Sequence, residues 1–499
     1  MSRTFLALRN RNFRLFFVGQ LISNTGNWLT TVALTLLVLK ITGSGLGVGI
    51  LASCQFGPIL LLSAYAGAIA DRVDKRRALM VTQSLEMAQS VGLAVLAFLP
   101  HPPLAGLYAL AAVGGVLLAF DNPLRRSFVS EMVPATDIPN AVVLYSTIVS
   151  LSRIFGPALA GLLVVTLGYG WGFAIDAGSY LAVLVCLGLM RPQELYRAPA
   201  RTRARGAVRE GLRYVRSMPV LWISFTMLAA IGVLAYNFTV TLPLFVTGPL
   251  HSSEGVFTVL YSIFSAGAVV GALVVARREL VRLGHAVLGA AALGVAMLLL
   301  AAAPGVGAAV PAVFLVGMAS ILYLNATTAI VQVAARPELH GRVLSLQTVI
   351  LIGTTPVGGP LLGWLADTLG GRAPIVVGGT VSLLTAGFGW WASRRHPGGG
   401  GRLVPGDQVD LDHGQGPGGL VAVAEGEDEG ADPRRGGGAE ADLEDVEQAT
   451  TAVGHARHLV EGAGVVADPP VERGERRGPG RLLGQQDVPQ VQPARPDLQ

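Results

Sequence analysis

Apolar residues fall into twelve long blocks along this chain, separated by short polar stretches. The blocks cover approximately 13–38, 46–70, 78–99, 104–121, 139–166, 170–190, 219–246, 255–276, 283–303, 307–333, 341–367 and 373–393. A helix that crosses the hydrocarbon core needs about 20 apolar residues. The pattern therefore predicts an all-α membrane protein with twelve transmembrane helices. A cleaved signal peptide is not expected, because Arg3, Arg9, Arg11 and Arg14 lead into the first block with no small-residue cleavage site after it.

The polar stretches alternate in charge. The amino terminus, 71–77, 122–138, 191–217, 277–282, 334–342 and 394–396 carry arginine. The stretches around 42–44, 101–103, 168–170, 248–254 and 304–307 carry no Lys or Arg, and the one around 370–372 carries only Arg372. Cytoplasmic loops collect basic residues, so both ends of the helical body are expected in the cytoplasm. An even helix count agrees.

The longest internal link, 191–218, divides the body into an N-terminal half, 1–190, and a C-terminal half, 219–396. Its end is amphipathic and is expected on the inner membrane surface. The halves repeat: a shift of 203 residues brings Asn122 onto Asn325, Pro134 onto Pro337, Gly156-Pro157 onto Gly359-Pro360 and Leu159 onto Leu362. Two pseudo-symmetric six-helix halves related as parallel repeats are the architecture of a large transporter class.

Composition sharpens this picture at the carboxyl end. Hydrophobic residues make up 52% and charged residues 14% of the chain, with a net charge of +5. Residues 1–396 carry a net +15, whereas 397–499 carry −10 and no aromatic residue. Such a Gly-, Pro- and acid-rich tail cannot bury enough apolar surface to offset its ordering entropy, so it is expected to be disordered. It is either a regulatory tail or an extension from a shifted reading frame.

Enzyme chemistry finds no support. Cys54 and Cys186 sit singly inside apolar blocks, and no metal-ligand spacing, nucleotide-binding glycine loop or protease constellation occurs. No cofactor and no metal are expected. The arginines of 191–217 fit topology and anionic lipid better than nucleic acid.

Two charged or kinked motifs stand out. "GAIADRVDKRR", 67–77, places Gly67, Asp71, Arg72 and Arg76 between the second and third blocks. Topology needs its arginines but not its acids. The pattern resembles the inter-helix signature of the major facilitator superfamily, with Asp74 where the family usually has glycine. The resemblance implies a cytoplasmic gate in which Asp71 meets the amino end of helix 11, near Gly341-Arg342, and a cation after helix 4. Arg125 and Arg126 are the available cations. "SRIFGPALAG", 152–161, resembles the Gly-Pro motif of exporters and antiporters, in which Arg153, Gly156, Pro157 and Gly161 take part. Proline bends a helix and glycine lets a neighbour approach. The whole body resembles the branch that includes the enterobactin exporter and macrolide-efflux proteins.

Charge inside the membrane is costly and marks function. Arg153 needs a partner, and Glu86 or Asp121 is expected to supply it. Asp121, Glu86 and Asp176 are the proton-coupling candidates. The family arrangement puts helices 3 and 6 at the outside of the bundle, which favours structural roles for Glu86 and Asp176. By the same resemblance helices 1, 4, 7 and 10 line the cavity. Gln20, Asn24, Asn27 and Thr31 share one face of helix 1, and Asn325, Thr328 and Gln332 share one face of helix 10. Tyr236 and Asn237 join them from helix 7.

The expected function is export of a small drug- or siderophore-like amphipathic molecule by alternating access with proton antiport. The protein would act as a monomer in the bacterial cytoplasmic membrane, with the small molecule, protons and the lipid bilayer as its partners. An uptake permease, a lipid flippase of the same fold and a non-transporting sensor remain alternatives.

Overall fold

The apolar blocks fold as helices because a membrane offers no other partner for backbone N–H and C=O groups. A computed structural model of the chain describes residues 3–196, 207–276, 283–336 and 339–395. The arginines of 197–206 and 277–282, Pro337 and the carboxyl-terminal tail from His396 onward lie outside the described residues. Among the described residues, twelve helical segments are long and apolar enough to cross a membrane.

The first six are α1 (Arg11–Thr42), α2 (Gly45–Ala70), α3 (Lys75–Phe98), α4 (Leu104–Glu131), α5 (Ile138–Leu167) and α6 (Tyr169–Gly188). An amphipathic helix, α7 (Ala207–Ser217), precedes the second set. That set comprises α8 (Pro219–Leu234), α9 (Phe238–Thr247), α10 (Glu254–Ala276), α11 (Leu283–Ala302), α12 (Val306–Ala334), α13 (His340–Gly353), α14 (Thr355–Leu369) and α15 (Ala373–Arg395).

Two of the expected helices are interrupted. The seventh breaks over Ala235–Asn237 into α8 and α9, and the eleventh breaks at Thr354 into α13 and α14. The side-chain amide of Asn237 donates to the carbonyls of Gly232 and Val233 (3.2 and 2.8 Å) at the end of α8. An apolar run reads the same whether or not its backbone turns aside midway, so hydropathy conceals both breaks. Pro157, by contrast, lies inside α5, which runs on from Ile138 to Leu167.

Within the first bundle, α1 packs on α5 and α6, α3 on α4 and α6, and α2 on α4. Within the second, α12 packs on α10 and α11, and α15 on α8 and α11. The bundles meet where α2 lies along α14 and α5 along α10. Glycines allow the first contact. A Cβ at Gly45 would stand 2.6 Å from the carbonyl oxygen of Gly363, and one at Gly49 would stand 2.5 Å from that of Gly359.

Candidate functional site

The strongest concentration of buried polar groups lies inside the first bundle. Helix α4 extends past Asp121 to Glu131, so Arg125 sits one turn after Asp121 on the same face. Its guanidinium contacts Asp121 directly, lies 3.3 Å from Glu86 on α3, and donates to Gln20 Oε1 on α1 at 2.9 Å. Asp121 also accepts from Thr82 at 3.0 Å and from Gln83 at 2.9 Å. Gln83 donates to Glu86 as well, at 2.7 Å. Asp121 is fully buried, and Arg125 and Glu86 are 2% and 3% exposed. A buried charge is tolerated only when paired and hydrogen-bonded, and this cluster meets that condition with two acids and one cation.

Glu86 also borders a pocket of mixed polarity with about 80 Å³ of room for water-sized molecules. Asn27 and Thr31 from α1, Gln55 from α2, Gln89 from α3 and Tyr180 from α6 share its wall. A third carboxylate, Asp176 on α6, has no cation partner among the described residues. It is fully buried and accepts from Thr30 at 2.7 Å, Ser90 at 2.6 Å and Ser179 at 3.4 Å.

These positions revise several sequence expectations. Arg125 is not a loop cation of the gate; it is on a helix, inside the bundle and held by two acids. The apolar run ends at Asp121 because charges begin there, yet the helix continues for ten residues more. Glu86 pairs with Arg125 and not with Arg153. Arg153 is exposed, and its guanidinium lies over the Trp28 ring, 5.3 Å from the centroid. Glu86 faces the bundle interior and not its outside. Gly156 and Gly161 do mark close approaches, the first to α1 at Thr25 and Trp28, the second to α10 at Thr258.

Around Asp71 the parts of the expected gate are apart. Asp71 caps the end of α2 with its backbone, its N–H donating to the Gly67 carbonyl at 3.2 Å, and its side chain makes no ion pair among the described residues. Arg72 and Arg126 are exposed. Arg76 instead donates to the carbonyls of Leu187 and Gly188 at the end of α6 (2.8 and 3.2 Å). Arg342, at the start of α13, pairs with Glu210 of α7.

The two expected cavity stripes separate. Gln20 and Asn24 turn to Arg125, while Asn27 and Thr31 line the pocket. On α12, Thr328 accepts from Gln347 of α13 at 3.0 Å, Asn325 is half-buried and Gln332 is exposed. Tyr236 donates to the Ser320 carbonyl at 2.5 Å and stacks on Tyr323, and Asn237 serves the helix break. Sequence reasoning missed Thr82 and Gln83. Gln83 lies three residues before Glu86 on one helical face, the spacing that could have revealed it.

Asp367 on α14 was also missed. It accepts from Ser44 Oγ at 2.6 Å, Gly45 N–H at 2.6 Å and Leu46 N–H at 3.0 Å, all at the amino end of α2. This contact lies at the arginine-poor end of the bundle. At the same end Tyr169 of α6 donates to Glu254 of α10 at 2.6 Å. Deeper along the α2–α14 contact, Ser53 donates to the Pro356 carbonyl at 2.7 Å.

The sequence profile of the transmembrane secretion effector family matches residues 2–397. The chain is 28% identical to the multidrug efflux pump Tap of Mycolicibacterium fortuitum, over 71% of this chain and 89% of that one. It is 26% identical to the staphyloferrin A transporter of Staphylococcus aureus, over 52% of this chain and 66% of the relative, and 24% identical to the enterobactin exporter EntS of Shigella flexneri, over 44% and 54%. The chain thus spans just under two thirds of the staphyloferrin transporter and about half of the enterobactin exporter. In fold it is similar to a bacterial homolog of the human lysosomal transporter Spinster in an inward-facing, unoccupied conformation, with a TM-score of 0.62 at 15% identity, covering 80% of this chain and 99% of that one. It is also similar to a POT family transporter solved with 5-aminolevulinic acid, with a TM-score of 0.64 at 13% identity over 77% and 96%.

Proposed function

The chain belongs to the transmembrane secretion effector family of major facilitator transporters, and from that premise we propose that it exports a small amphipathic molecule across the bacterial cytoplasmic membrane in exchange for protons. The observation that carries this reading is the buried cluster of Glu86, Asp121 and Arg125. Two acids share one cation, so with every group ionised the cluster holds one negative charge in excess. A buried excess charge is expensive, and a proton or the cationic part of a cargo neutralises it. A site that takes one or the other, but not both, exchanges them. Glu86 is the exchanging acid in this scheme, since it borders the pocket whereas Asp121 is enclosed by Thr82, Gln83 and Arg125.

The arginines at the end of the bundle bearing 71–77 and 394–395 support a cytoplasmic location for that end. The arginine-poor end is then the outer one. Its cross-bundle bonds are made, which fits the cytoplasm-facing half of an alternating-access cycle. The resemblance of 152–161 to the Gly-Pro motif of exporters and the names of the relatives favour export over uptake.

The test is uptake into inverted membrane vesicles that contain the protein, using a panel of siderophores, macrolides and dyes, with and without an acid interior. Accumulation that requires the gradient and disappears with an uncoupler is the expected result. Accumulation only in right-side-out vesicles would replace export by uptake. No accumulation in either orientation, with insertion confirmed, would overturn transport of these classes.

A further inference from the structure

We infer that Asp367 is the outer latch of the transport cycle, and that it alternates with Asp71 across the same pair of helices. This rests on the orientation and the alternating-access reading given above.

The first helical turn of any helix has N–H groups without intrahelical partners, and its partial positive charge favours an anion. At the amino end of α2 these groups are taken by a carboxylate from the opposite bundle. Asp367 accepts from Gly45 N–H at 2.6 Å, Leu46 N–H at 3.0 Å and Ser44 Oγ at 2.6 Å. Bonds from backbone N–H to an ionised carboxylate are about twice as strong as neutral ones. The contact depends on closeness as well as charge: a Cβ at Gly45 would collide with the Gly363 carbonyl oxygen at 2.6 Å. The outer ends cannot part without losing all three bonds.

The opposite end of the same helix pair has the matching parts, exchanged. Asp71 stands at the carboxyl end of α2, half-buried and with no ion pair among the described residues. Helix α13, the inner part of helix 11, begins at His340; its N-cap position, Leu339, has no side-chain acceptor, and His340 N–H and Arg342 N–H donate to the backbone carbonyls of Arg336 and Leu339 at 3.0 Å each. So α14 offers an acid to the amino end of α2 outside, and α2 offers an acid to the amino end of α13 inside. Rigid rocking of the bundles makes one contact as it breaks the other. Two latches of the same chemistry leave the two states close in energy, which a carrier needs in order to cycle.

The experiment measures the gate directly. Leu99, 45% exposed at the outer end of α3, and Leu369, 71% exposed at the outer end of α14, are replaced by spin-labelled cysteines after Cys54→Ala and Cys186→Ala. Electron-spin distance measurements in liposomes then report the separation of the outer ends. Asp367→Asn is expected to raise the long-distance population about tenfold, the factor for one lost charge-assisted hydrogen bond. Asp367→Leu, which removes every acceptor, should raise it further. Asp71→Asn should lower it, and Asp71→Asn with Asp367→Asn should return it toward the parent value, because both latches are then gone. A parent-like distribution in both Asp367 variants would overturn the latch, whatever the flux. Vesicle uptake on the same proteins separates the two readings: shifted distances in a parent that moves no cargo would keep the latch and remove the exporter.

Discussion

The two bundles treat polarity inside the membrane in opposite ways. The first buries Glu86, Asp121, Asp176 and Arg125 among amides and hydroxyls. The second buries no charged side chain among the described residues; its interior polar groups are neutral, such as Ser224, Asn237, Ser320, Thr327 and Gln347. Its core is instead a string of rings, with Phe238 against Phe264 at 4.7 Å and Tyr236 stacked on Tyr323 at 6.3 Å. The string continues through Tyr261 to Trp28 of the first bundle. The sequence repeat thus maintains a common helix plan while the chemistry is carried on one side. On the proposed reading, ion exchange belongs to the first bundle and the second supplies a neutral wall against which it rocks.

The largest effect expected from breaking this contrast is at Arg125. Arg125→Met leaves Glu86 and Asp121 facing each other without a cation, and loss of one partner from a buried ionic group costs about 3–5 kcal/mol. The variant should melt at clearly lower temperature in detergent and lose transport. Arg125→Lys should recover only part of both, since an ammonium lacks the fork that reaches Asp121, Glu86 and Gln20 together. A melting curve unchanged in Arg125→Met would show that the cluster is not what holds the first bundle.

Next in size is Glu86→Gln. The amide removes the excess charge and retains the hydrogen-bonding shape, so stability should be preserved or slightly raised. Gradient-driven accumulation should fall at least about tenfold, while exchange of labelled for unlabelled cargo without a gradient continues. Full gradient coupling in this variant would move proton exchange elsewhere. Asp176→Asn sharpens the point within the same bundle. Asp176 has hydroxyl donors and no cation, and asparagine still accepts from Thr30 and Ser90. A change in stability within about 1 kcal/mol is expected, with coupling intact. Loss of coupling would make Asp176 the exchanging acid in place of Glu86.

The same contrast explains what was legible in the sequence. The twelve crossings were, because twenty apolar residues in a row have few other uses. So was the importance of the intramembrane charges, since burial makes each one costly. Their pairing was not. Arg125 looked like a loop residue because hydropathy stops where charge begins, while the α4 backbone continues regardless. Arg153 looked buried because its neighbours are apolar, yet its side chain is exposed and its guanidinium lies over the Trp28 ring. Asp367 escaped notice because its partners are mostly backbone N–H groups 321 and 322 residues away, and no side-chain pattern announces those. The helix breaks at Asn237 and Thr354 were hidden for the same reason.

The smallest expected effect tests the neutral bundle. Tyr323 is fully buried, and its hydroxyl has no hydrogen-bond partner among the described residues. Its ring is held by Tyr236, and its backbone packs close to Gly289, where a Cβ would stand 2.9 Å from the Tyr323 Cα. A buried hydroxyl without a partner keeps its desolvation cost and gains no bond. Tyr323→Phe removes that group and leaves the packing, so the protein should be as stable as the parent or about 1 kcal/mol more stable, with transport unchanged. The melting curve and the vesicle assay together decide the matter. If phenylalanine stabilises and transport holds, the second bundle is a wall whose polar atoms are expendable. If phenylalanine abolishes transport while the fold survives, the hydroxyl meets a partner in another state of the cycle, and the second bundle then takes a chemical part that its neutral interior conceals.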